Sequence, residues 1–283
     1  GQSDNAYVNE WIHEQMFFYY LWNEHIPLSL PIKAYEEHPE NFFESLIYKR
    51  GDAAGDRFSW IEEDYEELVN SLNGITPYDI GFEYVGYSTK EEPSIVCQVV
   101  YVKPNTPAEE LGVKRGDVFT HVDDVRLTKN NWRRLFGSTP AKILFQTIDG
   151  KSYEKTIPTV ANYKDNPIYL DTVYHEGANK IGYLVYNHFT GDDGDGKKLY
   201  DFQLNDVFGR FKESGITHLV LDFRYNTGGS MLTSIYLGSM FVPDFNPDNI
   251  FIKAQYNKLY EEAIIKKYGM DALNDTFRER ISV

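Results

Sequence analysis

The chain has 283 residues, enough to bury substantial cores and to divide into two or three units. Its formal net charge of −15 excludes a broad electrostatic grip on nucleic acid and works equally against anionic membrane surfaces. No apolar run approaches the roughly 20 residues of a membrane helix, and the single cysteine, Cys97, excludes an internal disulfide and any CxxC metal site. Aromatic residues make up 16%, led by 22 Tyr and 18 Phe, so thick aromatic packing and a peptide- or sugar-facing surface are expected. The opening Gly1, followed by polar residues, is what a chain relieved of its leader would show.

In chain order, Asn5 to Asn23 has helical spacing, with Val8, Trp11, Ile12, Met16, Tyr19 and Tyr20 on one stripe and Pro27 and Pro31 beyond its end. Pro39 can open a second helix packed through Phe42, Phe43, Leu46 and Ile47. Ser59 to Asn73 has the spacing of a third, stopped by Gly74. This helical unit carries no chemistry of its own; His13, His25 and His38 are scattered, and His13-Glu14 lacks the second histidine of a zinc helix.

From Tyr78 the period changes to two. Ile80 to Tyr84 and Ile95 to Val102 are predicted strands, with Cys97 as strand packing. A short capped helix follows: Thr106 as N-cap, Pro107 in the first turn, Glu109 completing the capping box, Gly112 as stop. Val118 to Val122 and Val125 to Leu127 are strands about Asp123-Asp124, and Asn130 to Phe136 has the spacing of a helix with Trp132 inward. Lys142 to Ile148 and Ser152 to Ile157 form a hairpin about Asp149-Gly150, a two-residue turn signal. Val160 to Asn179 is a polar linker with strand-like pieces such as Ile168 to Val173.

Ile181 to Tyr186 is a clear strand. The acidic loop after it, Gly191 to Lys198, fails the twelve-position pattern of an EF-hand and is expected to be solvated. Leu199 to Ser214 is a helix stopped by Gly215, and Leu219 to Phe223 a buried strand, together a right-handed parallel βαβ unit. Arg224-Tyr225-Asn226-Thr227 then turns into Gly228-Gly229 and the helical run Met231 to Val242. A strand feeding a Gly-Gly turn feeding a helix presents backbone N–H groups with no Cβ in the way, at an electropositive helix start, and so suits a developing negative charge.

The run N-T-P-A-E-E-L-G-V-K-R-G-D-V-F within 79–158 is similar to the PDZ signature of carboxyl-terminal processing proteases. Asp124 departs from the glycine usual there, and aspartate also fits such a turn. L-V-L-D-F-R-Y-N-T-G-G resembles the D-L-R-x-N-x-G-G strand end of S41 peptidases, matched at Asp222, Arg224, Asn226, Gly228 and Gly229; the N-terminal Y-L-W and D-R-F-S-W look like Bacteroidetes-type members. The resemblance implies a multidomain α+β and α/β chain. Its parts are a helical N-terminal domain (1–77), a PDZ-like β-barrel domain (78–160) and, over 161–283, the first part of an α/β peptidase core of the ClpP/crotonase kind.

It further implies a serine endopeptidase that cuts polypeptides near free C-termini, without metal or organic cofactor and without nucleic-acid partners. An envelope location, periplasmic or lipid-anchored, follows from the same resemblance. Gly229, or less directly Gly228, inherits the oxyanion role; Ile80, Gly81, Phe82 and Glu83 correspond to the PDZ carboxylate-binding loop, with the peptide adding as a strand. Asp222 and Arg224 are expected to brace the turn and Tyr225 to line the substrate cleft. The family's Ser/Lys dyad belongs to an S-A-S-E-like motif and a later lysine, found nowhere here; Ser230 with Lys253 lacks that context. The dyad is therefore expected beyond Val283 and the chain alone to be inactive. A non-catalytic peptide-binding pseudo-peptidase or envelope scaffold, or a glycan-binding envelope protein, stand as rivals.

Overall fold

The computed structural model describes residues 4–88, 90, 95–132 and 135–282. Its helices are α1 Asp4–Tyr19, α2 Pro39–Leu46, α3 Tyr65–Leu72, α4 Pro107–Glu110, α5 Leu199–Ser214, α6 Met231–Phe241 and α7 Lys258–Tyr268. Its strands are β1 Ile75–Asp79, β2 Phe82–Ser88, β3 Ile95–Val102, β4 Val118–Val122, β5 Val125–Arg126, β6 Ala141–Gln146, β7 Ser152–Ile157, β8 Val160–Lys164, β9 Ile168–Glu176, β10 Asn179–Tyr186, β11 His218–Asp222, β12 Ile250–Lys253 and β13 Asn274–Thr276. By packing, the chain divides into a unit running to Leu68 together with Ile235–Ile281, and a unit spanning Val69–Ser234.

In the first unit, Ile12, Met16 and Tyr20 meet Phe42, Phe43, Leu46 and Ile47 in one core. Of the stripe expected of α1, Ile12, Met16 and Tyr20 are buried and the rest is not. Val8, Trp11 and Tyr19 are exposed, whereas polar Asn9 and His13 are inside. Both are satisfied there: Asn9 donates to the carbonyls of Tyr35 and Glu37, and the His13 ring bonds Pro27 O at 2.7 Å and Tyr35 Oη at 2.8 Å. A buried polar group is tolerated when it is hydrogen-bonded. Asn257 ties distant segments together. Its amide donates to Phe18 O and Tyr20 O, each at 2.9 Å, and its oxygen caps α7 through Tyr260 N. The third helix is shorter than its spacing implied. Asp56 takes the amides of Phe58 and Ser59 into a turn, and Asp64 caps the helix by accepting from Glu66 and Glu67 N.

The second unit holds an antiparallel sheet of order β2-β3-β4-β6-β7, with β5 on β4. Its inner face is a closed aromatic packing: the rings of Phe82, Phe119 and Phe145 meet edge to face at 5.7–6.0 Å. Cys97 packs in this core, fully buried, and burial pushes its thiol up to about 12. The Thr106 cap is present, accepting from Glu109 N, while the Glu109 carboxylate reaches Asn105 N. Two expectations change. Asn130 to Trp132 form turns rather than a helix, pinned by Asn131 to Thr128 N and Arg126 O; the rest of that stretch includes Arg133 and Arg134, outside the described residues. The β6–β7 connection closes through Thr147 N to Lys151 O, so its loop holds three residues, with Gly150 at φ +82°.

The polar linker is also more regular than its sequence implied: β8 pairs with β1, and β9 forms a hairpin with β10. The sheet order is β11-β10-β9, with β10 and β11 parallel from Ile181/His218 to Val185/Asp222. The predicted βαβ unit is therefore present, but β11 is not the buried strand expected: Val220 is exposed, Leu219 and Leu221 are half-buried, and Phe223 beyond it is exposed. Gly182 is what lets the chain pack there, since a Cβ would lie 2.8 Å from Ile216 Cδ1 and 3.3 Å from the Phe211 ring.

Candidate functional site

Strand β11 delivers Asp222 to the sheet rim, where it is buried and multiply bonded. It accepts from Arg224 N at 3.1 Å, from the Arg224 guanidinium at 2.5–3.0 Å and from Tyr183 Oη at 2.5 Å. The guanidinium is the main reason the Asp222 carboxyl sits well below the usual range, reinforced by Tyr183 and opposed by burial. Next, Asn226 Nδ2 donates to Tyr186 O at 2.9 Å, and its Oδ1 accepts from Gly228 N at 2.8 Å. Thr227 N donates to Asn187 O. The polar residues of the turn thus shape backbone.

The two glycines are then fixed by a parallel bridge to Phe189. Phe189 N donates to Gly228 O and Ser230 N to Phe189 O, both at 2.7 Å. Gly229 has φ +133°, and a Cβ there would overlap the Phe189 carbonyl oxygen, so only glycine fits. Of the three successive amides, those of Gly228 and Ser230 are used. The Gly229 amide donates to no described group, and the residue is exposed. Directly after it, Ser230 Oγ accepts from Thr233 N at 3.3 Å at the start of α6. The Ser230 hydroxyl is a helix cap here.

The stretch Ile80–Glu83 has a different character. Ile80 and Phe82 are 4% and 2% exposed, with side chains in the core. Gly81, at φ +88°, donates its amide to Asp79 Oδ1 at 2.7 Å and accepts from Lys103 N at 2.9 Å; a Cβ would strike Thr106 Oγ1 at 2.7 Å. Glu83 pairs with Lys103 Nζ at 2.7 Å. The same buried ammonium meets Asp79 at 2.6 Å and Asp165 at 3.3 Å. Burial pulls Lys103 down, but the three carboxylates together outweigh it and hold the amine protonated. His188 lies on the far side of Asp165, Nε2 to Oδ2 3.9 Å. Burial first, then the Lys103 charge, push His188 down to about 4, so its ring is neutral at pH 7.

No hydrogen bond or ion pair joins Ile80–Glu83 to Gly228–Gly229 among the described residues. Tyr225 comes between: its ring is 6.0 Å from that of Tyr101, which pairs opposite Glu83. Lys103, Asp165 and His188 were not legible as a cluster, because they follow three different strands and only the fold gathers them. In the acidic loop, oxygens of Asp192, Asp193 and Asp195 lie within 4.8 Å of one another. They are largely engaged already: Asp192 accepts from Gly194, Gly196 and Lys198 N, Asp193 pairs with Lys164 and Asp195 with Lys197. Beside the glycine turn is a polar cavity of about 370 Å³ lined by Thr190, Asp192, Asp201, Ser230 and Thr233.

Three segments match known family models: residues 7–60 the peptidase S41 N-terminal domain, 98–145 a PDZ domain, and 180–271 peptidase family S41. The protein named Probable CtpA-like serine protease, in two strains of Staphylococcus epidermidis, is 23% identical over 145 residues. That alignment covers 50% of this chain and 27% of the relative, so the chain spans about a quarter of that protein's length. A crystal structure from Bacteroides fragilis NCTC 9343, assigned to the S41 proteases, shares the fold at a TM-score of 0.60 and 23% identity. The likeness covers 89% of this chain and 64% of that one. The chain therefore matches, in order, models of the peptidase S41 N-terminal domain, a PDZ domain and peptidase family S41.

Proposed function

We propose that this chain is part of an S41-type serine endopeptidase that cuts polypeptides near their C-termini. The observation that carries the reading is the Gly229 amide, exposed at the sheet rim while the amides on either side of it are spent on structure. A serine oxygen attacking a peptide carbonyl pushes negative charge onto the carbonyl oxygen. A preorganised N–H aimed at that oxygen stabilises the transition state by about 3 kcal/mol. Gly229 supplies that donor, with Gly228 as the residue that sets its orientation.

The serine and its base come from sequence beyond Val283. For the base to be a lysine, its pKa must fall by about 3 units, roughly 4 kcal/mol of burial and like-charge pressure. The neutral amine then takes the serine proton and later gives it to the leaving amine. The PDZ domain captures the substrate's chain end, with Ile80–Glu83 and the open side of β2 as the capture element. The enzyme works in the cell envelope; no described helix is long and apolar enough to cross a membrane.

The test is cleavage of a free-C-terminal polypeptide by protein extended beyond Val283, with the products mapped by mass spectrometry. Cleavage near the C-terminus that disappears when the downstream serine becomes alanine supports the reading. Equal binding with no turnover in either form supports the pseudo-peptidase instead.

A further inference from the structure

The PDZ sheet carries a second recognition feature on its outer face. Along β2, Phe82 and Tyr84 turn to the core, and Gly86 faces Trp132, whose ring atoms would meet a Cβ at 2.6–2.9 Å. The inner side of β2 is thus closed by Trp132 and Phe136. Alternation puts Val85 and Tyr87 on the opposite face. There, with Val100, Ile148 and Tyr225, they wall a groove of about 450 Å³ in which Arg115 is the one charged lining residue among the described residues.

Arg115 differs from Lys103 in one decisive respect. Lys103 is hemmed by three carboxylates, and the Gly81 amide beside it is already given to Asp79. A fourth carboxylate at that place would meet an excess of negative charge. The Arg115 guanidinium forms no ion pair among the described residues; the nearby Glu109 carboxylate is bonded to Asn105 N. Its one partner among the described residues is the Tyr225 ring, 5.3 Å from its Cζ to the centroid. A cation–π contact of this kind engages none of the guanidinium's N–H donors in a hydrogen bond, and leaves them available for a bidentate carboxylate.

We propose that Arg115, held over the Tyr225 ring, binds the free C-terminal carboxylate of a polypeptide, whose last side chain, apolar, fills the groove against Val85, Tyr87 and Val100. This rests on the reading of the PDZ domain as a chain-end receptor and moves the charged anchor from the Ile80–Glu83 loop to the outer face. The groove adjoins β2, which among the described residues pairs with β3 alone, so a peptide strand added at that edge lays alternate side chains over this face. Tyr225 belongs to the turn that carries Gly229, so the anchored end abuts the candidate oxyanion turn.

The experiment is fluorescence anisotropy with the 283-residue chain and a labelled decapeptide ending in Ala-Leu-Val, as free acid and as amide. Amidation should weaken binding about tenfold or more, Arg115→Ala should weaken the acid to a similar degree, and Arg115→Lys should restore part of it. The amide's affinity should be indifferent to Arg115→Ala. A third peptide, amidated but with a penultimate glutamate, distinguishes a side-chain carboxylate; binding it as tightly as the acid overturns the C-terminal assignment. Acid binding unchanged in Arg115→Ala overturns the groove while leaving chain-end capture in place. Absence of binding by every peptide overturns both. Arg115 is exposed, and circular dichroism of each variant verifies its fold.

Discussion

Gly229→Ala tests the geometry of the glycine turn most sharply. An added Cβ overlaps the Phe189 carbonyl oxygen and lies 2.8 Å from its carbon and 3.2 Å from its Cα. All three are backbone atoms held by two 2.7 Å hydrogen bonds, so neither side can yield as a flexible side chain would. Strain of this kind costs about 1–3 kcal/mol, and parting the bridge loses two hydrogen bonds worth about 1 kcal/mol each. The expected cost is therefore about 3–5 kcal/mol. Gly228→Ala is the internal control. Its φ is +91°, but nothing lies within 4 Å of the new Cβ. Only the left-handed backbone is penalised, about 1–2 kcal/mol. Urea denaturation of both variants beside the parent chain measures the difference. A Gly229→Ala cost no larger than that of Gly228→Ala would refute the close-approach argument, because it would mean that the turn shifts freely off Phe189.

Three further outcomes are expected. His188 is neutral in the fold, with its pKa depressed to about 4 against about 6.5 when unfolded; its contribution is full above pH 6.5 and is lost as pH falls toward 4, up to roughly 3 kcal/mol. As pH falls from 7 to 4, urea midpoints should fall less steeply in His188→Asn than in the parent. Lys103→Met strands Asp79 and Asp165, whose side chains are 6% and 14% exposed, and should cost about 3–5 kcal/mol by denaturant titration; a neutral result would show that the cluster carries no net charge balance. Phe145→Ala, at a fully buried position in the three-ring packing, should cost about 3–5 kcal/mol and lower the thermal midpoint.

Much of this architecture is legible in local chemistry. The α4 cap, the α5 stop at Gly215 and the period change after Tyr78 are signals within a few residues, and the fold honours them. The errors came where tertiary contacts overrode spacing. Ser59 to Asn73 has apolar residues at helical intervals, yet Asp56 takes the local amides and Asp64 starts the helix later; the Asp64-x-x-Glu67 pattern is the sequence signal for that start. Val8, Trp11 and Tyr19 have the spacing of core residues and are exposed, because Asn9 and His13 find backbone partners inside. The glycine turn could be located from its motif. Which of its amides remains available could not, since that depends on Phe189 crossing from another strand. Likewise, the pairing of Arg115 with Tyr225 spans 110 positions and leaves no trace in either segment.

The central claim is that this turn serves acyl transfer to a serine. The most direct measurement is a fluorophosphonate reaction with protein extended beyond Val283, followed by peptide mapping of the labelled residue and repetition in Gly229→Ala shown to be folded. The account predicts one labelled serine downstream of the turn and labelling slowed by about two orders of magnitude in the variant. Labelling of unchanged rate in folded Gly229→Ala, or no labelled serine in the extended protein, would contradict it.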